Sequence, residues 1–115
     1  MLTIDALRTW GANVNEGLER CMNMVAFYLR LVPKAVEDAN FEKLPEAVAA
    51  GDMEKAFEAA HALKGSLANM ALTPILNPVQ VITELLRNKA AADYGPLLSE
   101  IAAARESLIA LMNTP

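Results

Sequence analysis

The sequence predicts an all-α fold: an up-down antiparallel four-helix bundle with a short N-terminal helical extension. Three observations lead there. The 115 residues are 54% hydrophobic but only 5% aromatic, and they are rich in the helix formers Ala, Leu, Glu and Met. Apolar residues recur at spacings of three and four, while the few β-branched residues are scattered rather than alternating. The connections between periodic stretches are short, which favours antiparallel neighbours. A chain of this length predicts one domain over residues 1–115, with its core at about 17–112.

In chain order, Thr3 caps a short helix through Trp10, and Gly11 ends it. Trp10, the only tryptophan, reads as a lid over one end of the bundle. Asn13 or Asn15 caps a second short segment through Leu18 and Cys21, which Gly17 weakens. From about Asn23 to Asp38, Val25, Leu29, Val32 and Val36 follow a helical period, with Phe27, Tyr28 and Leu31 beside them. Pro33 inside that run predicts a kink or a division. Asn40 is the expected cap for Phe41 to Ala50, with Phe41, Leu44, Val48 and Ala47 facing inward. Pro45, about one turn in, would move the true start to near Leu44.

Gly51 closes that helix and Asp52 caps the next, which runs to about Met70. Thr73-Pro74 is then a start signal, with threonine as cap and proline at the first helical position. Ile75, Val79, Ile82 and Leu86 share one face of a helix reaching about Lys89, its first turn distorted or displaced by Pro78. Ala90 to Gly95 is a connection. Pro96 opens a last helix with Leu97, Ile101, Leu108, Leu111 and Met112 as its buried stripe. Val25, Val81 and Pro45 are unexpected choices beside polar, helix-forming neighbours.

Composition excludes several function classes. A net charge of −4 and a pI near 4.9 argue against nucleic-acid binding, and no run of Lys or Arg supplies a basic stripe. No charge falls between Lys64 and Glu84, a length that could span a bilayer, but Pro74 and Pro78, with Ser66, Asn69, Thr73, Asn77 and Gln80, break it into a helix end, a turn and a helix start. No membrane association is expected. The single Cys21 forbids an internal disulfide and fits a reducing compartment, the N-terminus has no signal-peptide pattern, and a cytoplasmic location is expected. No glycine-rich phosphate loop, magnesium-type carboxylate cluster or zinc-type His/Cys set is present.

The stretch that carries chemistry is Ala60-His61-Ala62-Leu63-Lys64-Gly65-Ser66. Met53, Phe57, Ala60, Leu63, Leu67 and Met70 form the core-facing stripe of its helix, so His61, the only histidine, falls at the edge, open to solvent. Lys64 and Gly65 follow at i+3 and i+4, on the same patch of helix surface. Glycine inside a helix costs about 1 kcal/mol relative to alanine, which calls for a reason. That reason is either the close approach of another molecule or tight packing against a neighbouring helix.

His61-Ala62-Leu63-Lys64-Gly65-Ser66 resembles the H-x-L-K-G-S signature of histidine-containing phosphotransfer (HPt) domains. Ala49-Ala50-Gly51-Asp52 is similar to the turn before the family's histidine helix, and Phe27-Tyr28-Leu29-Arg30-Leu31 to the helix preceding it. The resemblance covers roughly Gly17 to Leu111 and departs at two positions. Ala71 stands where the family usually carries a second glycine; Thr83, counted without gaps, stands where some members carry a glutamine supporting the histidine site.

The resemblance implies a phosphoacceptor at His61 that relays a phosphoryl group between receiver-domain aspartates, without kinase or phosphatase activity of its own. Imidazole titrates near pKa ~6.5 and is a nucleophile when neutral. Lys64 is placed to neutralise phosphoryl oxygens. The expected docking face comprises Glu58, Gly65 and Ala68, with Thr83 and Arg87 from the next helix. The implied partners are receiver domains of hybrid histidine kinases and response regulators, which bring the magnesium; no cofactor or metal is expected on this chain, and a monomer is expected. Two readings compete: a helical-bundle adaptor without phosphotransfer, and a haem- or metal-binding bundle with His61 as one axial ligand.

Overall fold

The computed structural model describes residues 2–114. Among them are seven helices and no strand: α1 (Ile4–Trp10), α2 (Val14–Arg20), α3 (Val25–Val36), α4 (Asn40–Ala49), α5 (Met53–Asn69), α6 (Thr73–Arg87) and α7 (Gly95–Met112). The main packing runs α4 on α5, α5 on α6 and α6 on α7, with α3 laid against α7 and α5. Leu63, Leu67, Ile75, Ile82, Val32 and Leu108 are fully buried in the shared core.

The N-terminal helices start and stop where local chemistry dictates. Thr3 Oγ1 accepts from the Ala6 N–H at 3.1 Å, and Gly11 closes α1 at φ +117°. Asn13 accepts from the Glu16 N–H and caps α2. Trp10 is half-buried, and its indole N–H donates to Ser107 Oγ of α7 at 2.7 Å.

These helices clamp one end of α5. The Tyr28 hydroxyl donates to the Met70 carbonyl at 2.8 Å, and the Asn13 N–H donates to the Ala71 carbonyl at 3.0 Å. Gly17, expected to weaken α2, instead makes room for this clamp. A Cβ there would stand 2.6 Å from the Tyr28 ring, so only glycine lets the ring lie against α2. Burial, with Cys21 beside it, pushes the Tyr28 phenol up to about 12.

Several boundaries differ from expectation for identifiable reasons. Asn40 is the first residue of α4 rather than its cap; its N–H is taken by Asp38 Oδ1 at 2.8 Å. Thr73 is likewise inside α6, with Leu72 at the cap position and the Thr73 hydroxyl donating back to the Ala71 carbonyl. Arg87, not Lys89, is the last residue of α6.

Pro33, Pro45 and Pro78 divide nothing: α3, α4 and α6 each run through them. An interior proline costs about 3 kcal/mol, whereas each fully buried aliphatic side chain contributes about 1.5–3 kcal/mol. Ile75, Val79, Ile82 and Leu86, all buried on α6, outweigh Pro78, which is itself buried. The inner stripe of α3 also differs, being Tyr28, Val32, Ala35 and Val36. Val25 and Phe27 face solvent. On α7, Arg105 lies over the Phe41 ring and donates to the Val36 carbonyl at 2.9 Å, satisfying the open end of α3.

Candidate functional site

The site is built on α5. Gly51 takes φ +74°, a left-handed turn that glycine adopts without a Cβ penalty, and Asp52 then caps α5 by accepting from the Lys55 N–H at 3.1 Å. The inner face of the helix is Ala56, Ala59, Ala60, Leu63 and Leu67. Three alanines there let α4 and α6 approach the α5 backbone closely, so the helix carrying His61 is held from both neighbours. Met53 and Phe57, expected in the core, lie at its edge and are half-buried.

His61 projects outward and is exposed. Its ring centroid is 5.6 Å from that of Phe57, one turn earlier, with the planes tilted by 37°. The Arg87 guanidinium of α6 sits 5.1 Å from the Phe57 centroid on the same flank. Lys64 Nζ lies 4.0 Å from Glu84 Oε1, and Arg87 Nε lies 3.3 Å from Glu84 Oε2. One carboxylate on α6 therefore gathers two cations: Lys64, one turn after His61, and Arg87, over the ring that neighbours His61.

Gly65 decides between the two reasons for a glycine inside the helix. A Cβ built there would meet no atom within 4 Å. Among the described residues no helix packs against it, so the glycine leaves bare backbone facing outward next to His61. Glu58 is exposed on the same helix and Ala68 is half-buried, one turn and two turns from His61. Ser66 turns inward, donating to the Leu63 carbonyl at 3.3 Å.

Thr83 does not belong to this surface. It is fully buried, and its hydroxyl is occupied by the Val79 carbonyl at 2.6 Å, so it is corrected from a docking residue to a core residue. Periodicity held the signal, since Thr83 stands four residues after Val79 and three before Leu86, inside the buried stripe. Glu84, its neighbour, reaches the site from α6 together with Arg87, and sequence reasoning missed it. Nothing local marks it, because its role depends on which residue of α5 comes opposite.

Among the described residues no group of three His, Cys, Asp or Glu side chains could hold a metal ion, and no helix is long and apolar enough to cross a membrane. An Hpt domain model matches residues 34–112, most of the chain and all of α4 to α7.

The chain belongs to the Hpt domain family.

Hpt domains are phosphotransfer modules of phosphorelays that work with receiver domains, and they are phosphocarriers without kinase activity of their own. Comparison with curated proteins and with solved structures gave no match. The Hpt match starts at Lys34, so α1, α2 and most of α3 lie outside it, although Tyr28 and Asn13 are what tie the end of the histidine helix down. At Ala71, where the family usually carries glycine, the backbone has φ +54°. Ala71 thus takes a left-handed turn without being the residue that adopts it freely.

Proposed function

We propose that this Hpt domain is a histidine phosphocarrier that relays a phosphoryl group between receiver-domain aspartates, with His61 as acceptor. The observation that carries the reading is the exposed His61 beside Lys64 and an unobstructed Gly65 on a helix anchored at both ends. In the forward step the lone pair of one imidazole nitrogen forms the P–N bond. The P–O bond to the partner's aspartate breaks with its electron pair, which leaves as carboxylate, while the second ring nitrogen keeps its proton. The reverse step hands the group to another aspartate.

Positioning and charge stabilisation supply most of the catalysis in phosphoryl transfer. Lys64 neutralises the equatorial oxygens, and Arg87 adds a second cation on the same flank. Magnesium belongs to the receiver in this reading. The docking face is Glu58, His61, Gly65 and Ala68 with the outer edge of α6 at Val81, Glu84 and Arg87, where Val81 is 51% exposed and offers an apolar contact. On a protein of net charge −4, local shape and apolar contact outweigh long-range attraction. A monomer, with α4 to α7 as an up-down four-helix bundle acting in the cytoplasm, completes the reading; the successive packing of α4, α5, α6 and α7 supports that topology.

The test is transfer from a panel of phosphorylated receiver domains to the wild type and to His61→Gln. Acid-labile, base-stable label in the wild type and none in the variant is the expected result. A folded wild type that no receiver labels would overturn the reading in favour of an adaptor.

A further inference from the structure

Like Glu58 on α5, Glu84 is an acidic group at a site whose work is to receive an anion. Its carboxylate is shared between the ammonium of Lys64, 4.0 Å from Oε1, and the guanidinium of Arg87, 3.3 Å from Oε2. Arg87 is also held over Phe57, whose other neighbour is His61. In the unphosphorylated protein Lys64, one turn from His61, and Arg87, on the far side of Phe57, are thus partly neutralised by a charge on α6.

The two pairs are not equivalent. The Arg87 contact is shorter and joins residues three apart on one helix, with the guanidinium further fixed by the Phe57 ring. The Lys64 contact is at the limit of an ion pair, spans two helices, and uses a point charge on a flexible stem. Side chains a third to a half exposed make such pairs weak and readily exchanged. A dianionic phosphoryl group arriving on His61 therefore draws Lys64 away, while Glu84 stays with Arg87.

Resting on the phosphocarrier reading, we infer that Glu84 is a positioning residue that holds Lys64 in reserve and weakens retention of the phosphoryl group, biasing His61 towards passing it on. The carboxylate acts twice in the same direction. It competes for Lys64 before transfer, and it repels the phosphoryl dianion afterwards. An exposed carboxylate near a dianion in water shifts an equilibrium constant by roughly three- to tenfold.

The experiment is the equilibrium partition of phosphate between one phosphorylated receiver and the 115-residue chain, for wild type, Glu84→Gln, Glu84→Asp, Lys64→Ala and the Lys64→Ala/Glu84→Gln pair. Glu84→Gln is expected to raise the ratio of phosphohistidine to aspartyl phosphate about three- to tenfold. Glu84→Asp, which keeps the charge, should stay near wild type. The gain should shrink in the Lys64→Ala background, and it should fade as ionic strength rises. A structural role alone would slow transfer in both directions and leave the ratio unchanged. An unchanged or lowered ratio in Glu84→Gln overturns this inference while leaving the phosphocarrier reading standing; absence of label in the wild type would instead remove the reading beneath it.

Discussion

The rings of Phe57 and His61 stand 5.6 Å apart on successive turns of α5, and the far neighbour of Phe57 is Arg87 of α6. The histidine is exposed but not isolated: its neighbouring turn is a half-buried aromatic joined to a cation on the next helix. The open side lies towards Gly65, where no atom of the described residues comes within 4 Å of a Cβ position. Approach to the imidazole is therefore directed, with α6 forming one wall and bare α5 backbone the floor.

Clearance at Gly65 separates function from stability. Gly65→Ala meets empty space and removes a helix-interior glycine, so it should stabilise the protein by about 1 kcal/mol. Gly65→Leu or Gly65→Arg should also keep the fold, yet block transfer by filling the space a receiver must enter. Urea unfolding read alongside phosphotransfer rates checks both halves. Normal transfer in the leucine variant would contradict the clearance argument.

Gly17 should behave in the opposite way. A methyl group there would lie 2.6 Å from the Tyr28 ring, which is fully buried and hydrogen-bonded to Met70. Gly17→Ala is expected to destabilise by about 1–3 kcal/mol, because the ring cannot move without disturbing that bond. The midpoint of urea unfolding measures it.

Ala71 holds a left-handed backbone at φ +54° at the junction of α5 and α6. Such a conformation costs a non-glycine residue about 1–2 kcal/mol. Ala71→Gly relieves it but loses a buried methyl group worth about 0.8 kcal/mol, so a net gain of up to about 1 kcal/mol is expected, again from urea unfolding. A clear loss of stability would show that the methyl contact outweighs the strain.

Tyr28 predicts an alkaline limit. Its phenol is raised from 10.0 to about 12 in the fold, chiefly by burial and secondarily by Cys21. Below the unfolded value both states are protonated and the full stability is present. As pH climbs from about 10 to about 12 only the unfolded chain deprotonates, and stability should fall by up to about 2–3 kcal/mol. Tyr28→Phe should flatten that slope at the cost of leaving the Met70 carbonyl unpaired, as unfolding free energies against pH would show.

What the sequence made legible followed from local chemistry. Thr3, Asn13, Gly11, Gly51 and Asp52 act within one turn of themselves, and their helix boundaries stand where those residues put them. The outward aspect of His61 followed from a stripe of period 3.6 on α5. Pro33 did not divide α3, and Pro45 and Pro78 did not move the starts of α4 and α6, because burial of neighbouring side chains outweighs a lost backbone bond. Gly17 was misjudged because its partner, Tyr28, lies on another helix. Thr83 was placed by counting along a family pattern when the spacing to Val79 and Leu86 already assigned it to the core. Glu84 and the half-exposed Phe57 needed the crossing of α5 and α6, which no single stretch encodes.

His61 is the only histidine, so one imidazole reports on the whole account. The most direct measurement is nitrogen-15 and phosphorus-31 NMR of the labelled protein during transfer from a phosphorylated receiver with magnesium. The account predicts that one ring nitrogen of His61 acquires coupling to phosphorus as the aspartyl phosphate disappears. Phosphate lost from the receiver with the imidazole signals unchanged would contradict it.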